Sequence, residues 1–206
     1  MAARAEPIAR EDLDVVPATA DRWSDVVELL GGSGERGCWC QSWRGSESAD
    51  VRAFGRSAPG ANRIALEAQV RSGEFAPGVI AYLGEVAVGW CGLGPRAAMP
   101  RLMRSRTIPR VDDVAVWSIG CFVVRTRYRR RGVGRALLDG ALVYARAMGA
   151  PAVEGYPVDP GASRISTSFA FVGFTSTFEA AGFRRVTVTD AHSAGLPRWL
   201  MRLDLT

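Results

Sequence analysis

The sequence has no lysine. All 26 of its basic residues are arginine, the formal charge is +5, and histidine occurs once, as His192. Arginine stays charged and grips phosphate in a forked geometry, so anion binding does not suffer from the missing lysine. Four cysteines, Cys38, Cys40, Cys91 and Cys121, make one Cys-x-Cys pair and two isolated thiols. With a single histidine this fits no usual zinc spacing, so no metal is expected, and the thiols read as reduced and mostly buried. No apolar run approaches the roughly 20 residues of a membrane span, and the N-terminus lacks the apolar segment of a signal peptide. A cytoplasmic protein with no membrane partner is therefore expected. There are no repeats and no low-complexity linker, and 206 residues suit one sizeable core better than two. Residues 1–10 read as a flexible tail and 11–206 as a single domain.

What the chain does contain is an apolar run that meets a basic, glycine-bearing turn and then a helical pattern. Residues 114–124 are rich in β-branched and aromatic side chains, as a buried strand should be, whereas Val133, Leu137, Ala141, Tyr144 and Met148 recur at helical spacing until Gly149. Between them, Gly132 and Gly134 let a ligand approach the main chain, and the first amides of the helix have no internal partners. The helix dipole and the side chains of Arg129, Arg130, Arg131 and Arg135 add positive charge there, so a diphosphate is the natural guest. Two common phosphate loops are excluded: Arg135 stands where the Walker pattern needs lysine, and Leu137 where the dinucleotide pattern needs its third glycine.

What remains, Arg129-x-x-Gly132-x-Gly134 after an apolar strand, resembles the acyl-CoA signature (Gln/Arg-x-x-Gly-x-Gly/Ala) of the GNAT N-acetyltransferase superfamily. The order of elements agrees: a second strand (152–158) follows one loop later, and Phe178-x-x-x-Gly182-Phe183 looks like that family's late aromatic element. The resemblance implies an acetyl-CoA-dependent enzyme that transfers acetyl directly from the thioester to a primary amine, on a small molecule or a protein lysine. It also implies a mixed α/β fold, a mostly antiparallel sheet of about seven strands splayed between the fourth and fifth, with helices on both faces. Main-chain groups of Phe122, Val123 and Val124 would then pair with the pantetheine arm. The loop from Arg129 through Arg130, Arg131, Gly132 and Val133 to Gly134, with Arg135, would hold the diphosphate. Phe178 would pack against the acyl arm.

The rest of the chain reads in order as a strand at 14–17, a helix capped by Thr19 with Trp23, Val26, Val27 and Leu30 on its apolar face, and a mobile loop at 31–37. The tryptophans of Cys38-Trp39-Cys40-Gln41-Ser42-Trp43-Arg44 either line a pocket or fill the core. Helices are expected at 50–56 and 62–71, and a hairpin at 79–93 turning on Gly84-Glu85. Residues 94–113 form a basic connection with a short helix, 163–168 a mobile polar stretch, 174–181 the last helix, and 186–189 with 199–205 a closing pair of strands.

No general base is marked unambiguously. Where some members of that family carry a glutamate on the motif strand, this chain has Ser118. Glu154, a carboxylate in an apolar strand facing the splay, is the first candidate, with a raised pKa expected unless an arginine pairs with it. Asp113 and Asp159 are further candidates, Tyr156 is the one plausible acid for the departing thiolate, and His192 reads as exposed in the loop of the final hairpin. Two other classes stay open, a non-catalytic acyl-CoA sensor and a basic nucleic-acid module. Six of the arginines crowd into residues 125–135, which favours a local anion site, so no nucleic-acid partner is expected, and the chain reads as a monomer or homodimer. The absent lysines supply a test: after incubation with acetyl-CoA, mass spectrometry should find at most one stable N-acetyl group on the chain, at its N-terminal amine. Two or more would contradict this reading.

Overall fold

The computed structural model describes residues 6–32, 37–45, 60–161 and 170–205. Seven strands form one sheet in the order β1-β2-β3-β4-β5-β7-β6. In chain order these are β1 (Leu13–Pro17), β2 (Gly78–Leu83), β3 (Val86–Pro95), β4 (Trp117–Val124), β5 (Ala152–Gly155), β6 (Arg184–Ser193) and β7 (Leu196–Asp204). Every neighbouring pair is antiparallel except β4 with β5. The helices are α1 (Trp23–Leu30), α2 (Ala61–Ser72), the single turn α3 (Pro100–Met103), α4 (Val133–Ala147) and α5 (Thr175–Ala180). No described helix is long and apolar enough to cross a membrane. The expected helix at 50–56 and the stretch at 163–168 lie outside the described residues, as does most of the loop at 31–37.

The sheet separates two apolar layers. On one face α4 lays Val133, Leu137, Leu138 and Ala141 against Val79, Ala81, Val88 and Ile119, all buried. The periodicity expected of this helix holds until Met148, which is 43 % exposed beyond the last turn. On the other face Trp23, Val26 and Leu30 of α1 and Leu66 and Val70 of α2 pack with Trp39, Ile80 and Trp90. Helices therefore cover both faces, because β2, β3 and β4 are apolar on both.

The β2–β3 hairpin turns on Gly84, whose φ of 58° is left-handed and suits glycine. The motif strand β4 begins at Trp117, three residues later than the sequence pattern suggested, because Val114 lies exposed in an irregular connection. Thr19 precedes a single 3-10 turn, and its hydroxyl accepts from the Arg22 guanidinium at 2.5 Å instead of capping the helix amides. At the N-terminus the Ile8 amide donates to the Arg131 carbonyl at 2.9 Å, and Ile8 packs on the core.

The feature that positions the site is how briefly β4 and β5 touch. Their register holds only Trp117↔Val153 and Ser118↔Glu154, after which β5 stays with β7 while β4 stays with β3. Within β4, the pairing skips from Gly92↔Cys121 to Leu93↔Ile119, so Gly120 is bulged at the point of divergence. Phe178 fills the wedge from the α4 side. Its ring lies edge-on to Phe122 at 6.1 Å and Phe183 at 4.9 Å, and a Cβ on Gly155 would come within 2.1 Å of it. Gly155→Ala should accordingly destabilise the fold by about 1–3 kcal/mol through overpacking, read as a lower urea midpoint with an unchanged slope. Unaltered stability would mean that Phe178 does not press on β5.

Candidate functional site

Two arrangements lie at the two ends of β4, one beyond its last residue and one where it parts from β5. The first is the turn between β4 and α4. Gly132 caps the helix at φ 95° and Arg130 is also left-handed at φ 59°, a conformation that curls successive amides toward one side. Among the described residues no main-chain acceptor takes the amides of Arg130, Arg131, Gly132, Val133 and Gly134, and no side chain caps the helix. A Cβ at Gly134 would meet nothing within 4 Å, so its bare α-carbon faces open space. The arginines divide in role. Arg129 donates from Nε to the Val124 carbonyl at 2.9 Å, Arg131 to the Glu6 carbonyl at 2.7 Å, and Arg135 to Asp139 at 2.8 Å. Two of the four charges expected at the anion thus also brace the loop, and a third is paired along α4.

The second is a buried polar network under the splay. Glu154 is 1 % exposed and lies between two arginines, with Arg96 Nη1 at 3.0 Å from one carboxylate oxygen and Arg202 Nη2 at 2.6 Å from the other. Tyr156 donates its hydroxyl to Glu154 at 3.0 Å, accepts from Arg96, and meets Ser118 at 2.9 Å. Arg202 continues outward to both oxygens of Asp112. Burial, and after it the Glu154 charge, push the Tyr156 hydroxyl well above its ordinary pKa. The Asp112 carboxyl is held low by its hydrogen bond from Arg202. One Arg96 nitrogen, Nε, is buried without a partner.

The residues marked in the sequence as catalytic candidates are therefore not together. Glu154 and Tyr156 share this network, whereas Asp113 lies fully exposed and pairs with Arg110 at 2.8 Å. Asp159 is tied to the Gly161 amide and then to Arg185, both of which lower its pKa. His192 is not in the hairpin loop; it lies within β6, exposed, with Nδ1 2.9 Å from the Asp190 carbonyl, because the strand runs on to Ser193 before the Ala194-Gly195 turn. Phe122, Val123 and Val124 are partly exposed and have no β5 partner, since that pairing ends at Ser118. Phe178, by contrast, is 0 % exposed. Arg96 and Arg202 escaped sequence reading because nothing local separates two arginines from the other 24.

On the α1 side of the splay a cavity of about 230 Å³ opens beside the bulge. Gly120 and Cys121 form its floor, and Trp43, Arg44, Met99 and Phe171 are among its walls. The two tryptophans of the 38–44 segment thus have separate roles: Trp39 is core and Trp43 lines the cavity. The thiols differ from expectation. Cys40 and Cys121, 81 residues apart, form a disulfide in the cavity wall, Cys38 is exposed, and only Cys91 is a buried free thiol, with its pKa raised by burial. No spacing rule could find that pair, because only the folding of the 38–44 segment onto β4 creates it. Among the described residues no group of histidine, cysteine and carboxylate side chains is placed to hold a metal ion.

A sequence model described as "Acetyltransferase (GNAT) family" matches residues 46–163, more than half of the chain. No curated protein matches the sequence. Solved structures of similar fold include a GCN5-related N-acetyltransferase from Kribbella flavida, at 19% identity and TM-score 0.54 over 96% of this chain and 100% of that one. The yncA protein of Salmonella typhimurium, solved with its cofactor acetyl-CoA, superposes at 14% identity and TM-score 0.55 over 95% of both chains. A ribosomal-protein-alanine N-acetyltransferase from Brucella melitensis does so at 14% identity and TM-score 0.54, over 93% of this chain and 99% of that one.

The buried network generates its own test. Glu154→Gln leaves Arg96 and Arg202 facing an uncharged amide in a site closed to water, so it should destabilise the protein by about 3 kcal/mol or more in chemical denaturation. If stability is unchanged while the maximal rate collapses, Glu154 is a proton acceptor and not a structural clamp.

Proposed function

The chain belongs to the GNAT acetyltransferase family, and from that premise we propose that it binds acetyl-CoA and transfers the acetyl group directly to a primary amine, on a small molecule or a protein lysine. The observation that carries this reading is the coincidence of open main-chain donors at the start of α4 with the open edge of β4 beyond Ser118. The amides of residues 130–134 suit a diphosphate, with helix dipole and arginines adding to the attraction. Phe122, Val123 and Val124 offer the extended edge along which a pantetheine arm can pair. The thioester then lies at the bulge, with the cavity on the far side to admit the amine.

Attack of the amine nitrogen on the acetyl carbonyl forms the C–N bond and breaks the C–S bond, and no covalent enzyme intermediate is required. Much of the acceleration comes from holding the two reactants in line, and main-chain donors along β4 are placed to stabilise the oxyanion. Among the described residues the cavity walls include no carboxylate and no histidine. Glu154 is already engaged by two arginines, so a water that reaches solvent is the better acceptor for the amine's proton. The leaving thiolate needs no side-chain acid, since its conjugate thiol has a pKa near 8.5 by analogy with cysteine. Tyr156, whose burial holds its proton more tightly, is a poor donor. A non-catalytic sensor would not need the cavity, which favours the enzyme.

Coenzyme A should raise the melting temperature of the wild-type protein by an amount set by its concentration relative to its dissociation constant. Gly134→Glu has room to fold, because a Cβ there meets nothing within 4 Å, but its carboxylate would occupy the diphosphate's place. Its melting temperature should match wild type without coenzyme and fail to rise with it. An equal rise in both proteins would show that the diphosphate binds elsewhere. Release of free thiol from acetyl-CoA with a panel of amines, lysine peptides included, separates enzyme from sensor.

A further inference from the structure

Four arginines crowd the region of the splay, and they differ in one respect. Arg96 and Arg202 are neutralised by Glu154 and Asp112. Among the described residues Arg44 and Arg198 have no carboxylate partner. Arg44, a wall of the cavity, donates Nη2 to the carbonyls of Pro77 and Leu93 at 2.9 and 2.7 Å, which leaves Nε and Nη1 without an acceptor. Arg198 is 6 % exposed and makes a single hydrogen bond, from Nε to the Tyr156 carbonyl at 2.7 Å. Its guanidinium lies 5.9 Å from the ring of Trp43, the neighbouring cavity wall. Among the described residues, one cation without a carboxylate thus lines the cavity, and a second lies against the ring of its neighbour Trp43.

Arg44 is half-buried and Arg198 buried, and a cation partly withdrawn from water gains from a counter-charge brought to it. The cavity is where such a counter-charge can enter, and among the described residues its nine wall residues include one cation and no acid. Resting on the acetyl-transfer reading above, we propose that the acceptor is a small amine that also carries a carboxylate. The carboxylate pairs with Arg44, the apolar body lies against Trp43, Met99 and Phe171, and the amine reaches the bulge at Gly120. Arg198 backs Trp43 and adds long-range attraction without touching the acceptor. The cavity, at about 230 Å³, has room for a molecule of amino-acid size. Burial lowers the Arg44 pKa only to about 10, so it is a cation at neutral pH. That cation also disfavours the ammonium form of a nearby amine, which helps present the neutral nucleophile where no protein carboxylate lines the cavity.

The test compares matched acceptors: phenylalanine, methionine and β-alanine, each against its own carboxamide. Thiol release gives kcat/KM, and calorimetry in the presence of coenzyme A gives binding without turnover. In wild type the carboxylate should be preferred over its amide by about tenfold or more, the scale of a charge-assisted pair. In Arg44→Gln the preference should fall to near unity while the affinity for coenzyme A holds. Amides that bind and react as well as the acids in wild type would overturn the proposal, as would an undiminished preference in a folded Arg44→Gln protein. Because Arg44 also bonds two carbonyls, the wild-type comparison decides by itself should that variant fail to fold. Selective binding of carboxylates with no transfer to any amine would uphold the anion site and overturn the transferase reading. Transfer to amines regardless of charge would do the reverse.

Discussion

The ion cluster around Glu154 is the constraint on which the rest depends. A lone carboxylate at 1 % exposure would be expensive to ionise, but two guanidiniums and a tyrosine hydroxyl surround this one. Its partners come from four places in the fold. Arg96 follows β3, Arg202 lies on β7, Ser118 on β4 joins through Tyr156, and Asp112 anchors the long connection before β4. The cluster sits at Ser118↔Glu154, the last rung that β4 and β5 share. It fixes the point from which the strands diverge.

Everything functional is arranged around that divergence. Phe178 wedges the α4 face, packed against Gly155 and Phe122, while the bulge at Gly120 opens the other face to the cavity. The anion loop lies at the end of β4 farthest from the shared rung, where Val124 passes into the turn of residues 125–132. The expected path of the donor therefore runs along β4 from loop to bulge. On the proposed reading one strand serves as ruler for both substrates, and its irregularity marks where they would meet.

Arginine does three different jobs in this protein because it is the only strong base available to it. In the loop Arg129 and Arg131 brace main-chain carbonyls, in the core Arg96 and Arg202 neutralise a carboxylate, and Arg44 in the cavity wall and Arg198 behind Trp43 have no carboxylate partner among the described residues. A forked, permanently charged group can do each of these, whereas a buried lysine would lose its proton more readily. The disulfide between Cys40 and Cys121 adds a covalent tie between the 38–44 segment and β4, and so joins the cavity wall to the strand at the bulge.

Local chemistry settled the sheet's hairpin and the strand-loop-helix unit at 117–147 with its glycine-bearing turn. Those features rest on backbone conformation, helix termini and hydrophobic period, all written in neighbouring residues. Glu154 was legible as an unusual carboxylate in an apolar strand, but whether it stands free or paired depends on Arg96 and Arg202, which are 58 and 48 residues away. Phe178 could be read as an aromatic element, yet its full burial follows from Gly155 and Gly173 lying against it. Cys40 with Cys121, and Arg44 without a counter-charge, are likewise outcomes of packing. Periodicity and turn chemistry act over a few residues and so survive in the sequence as patterns. Pairing of charges and enclosure of a cavity act through space, and only the folded chain decides which distant side chains share it.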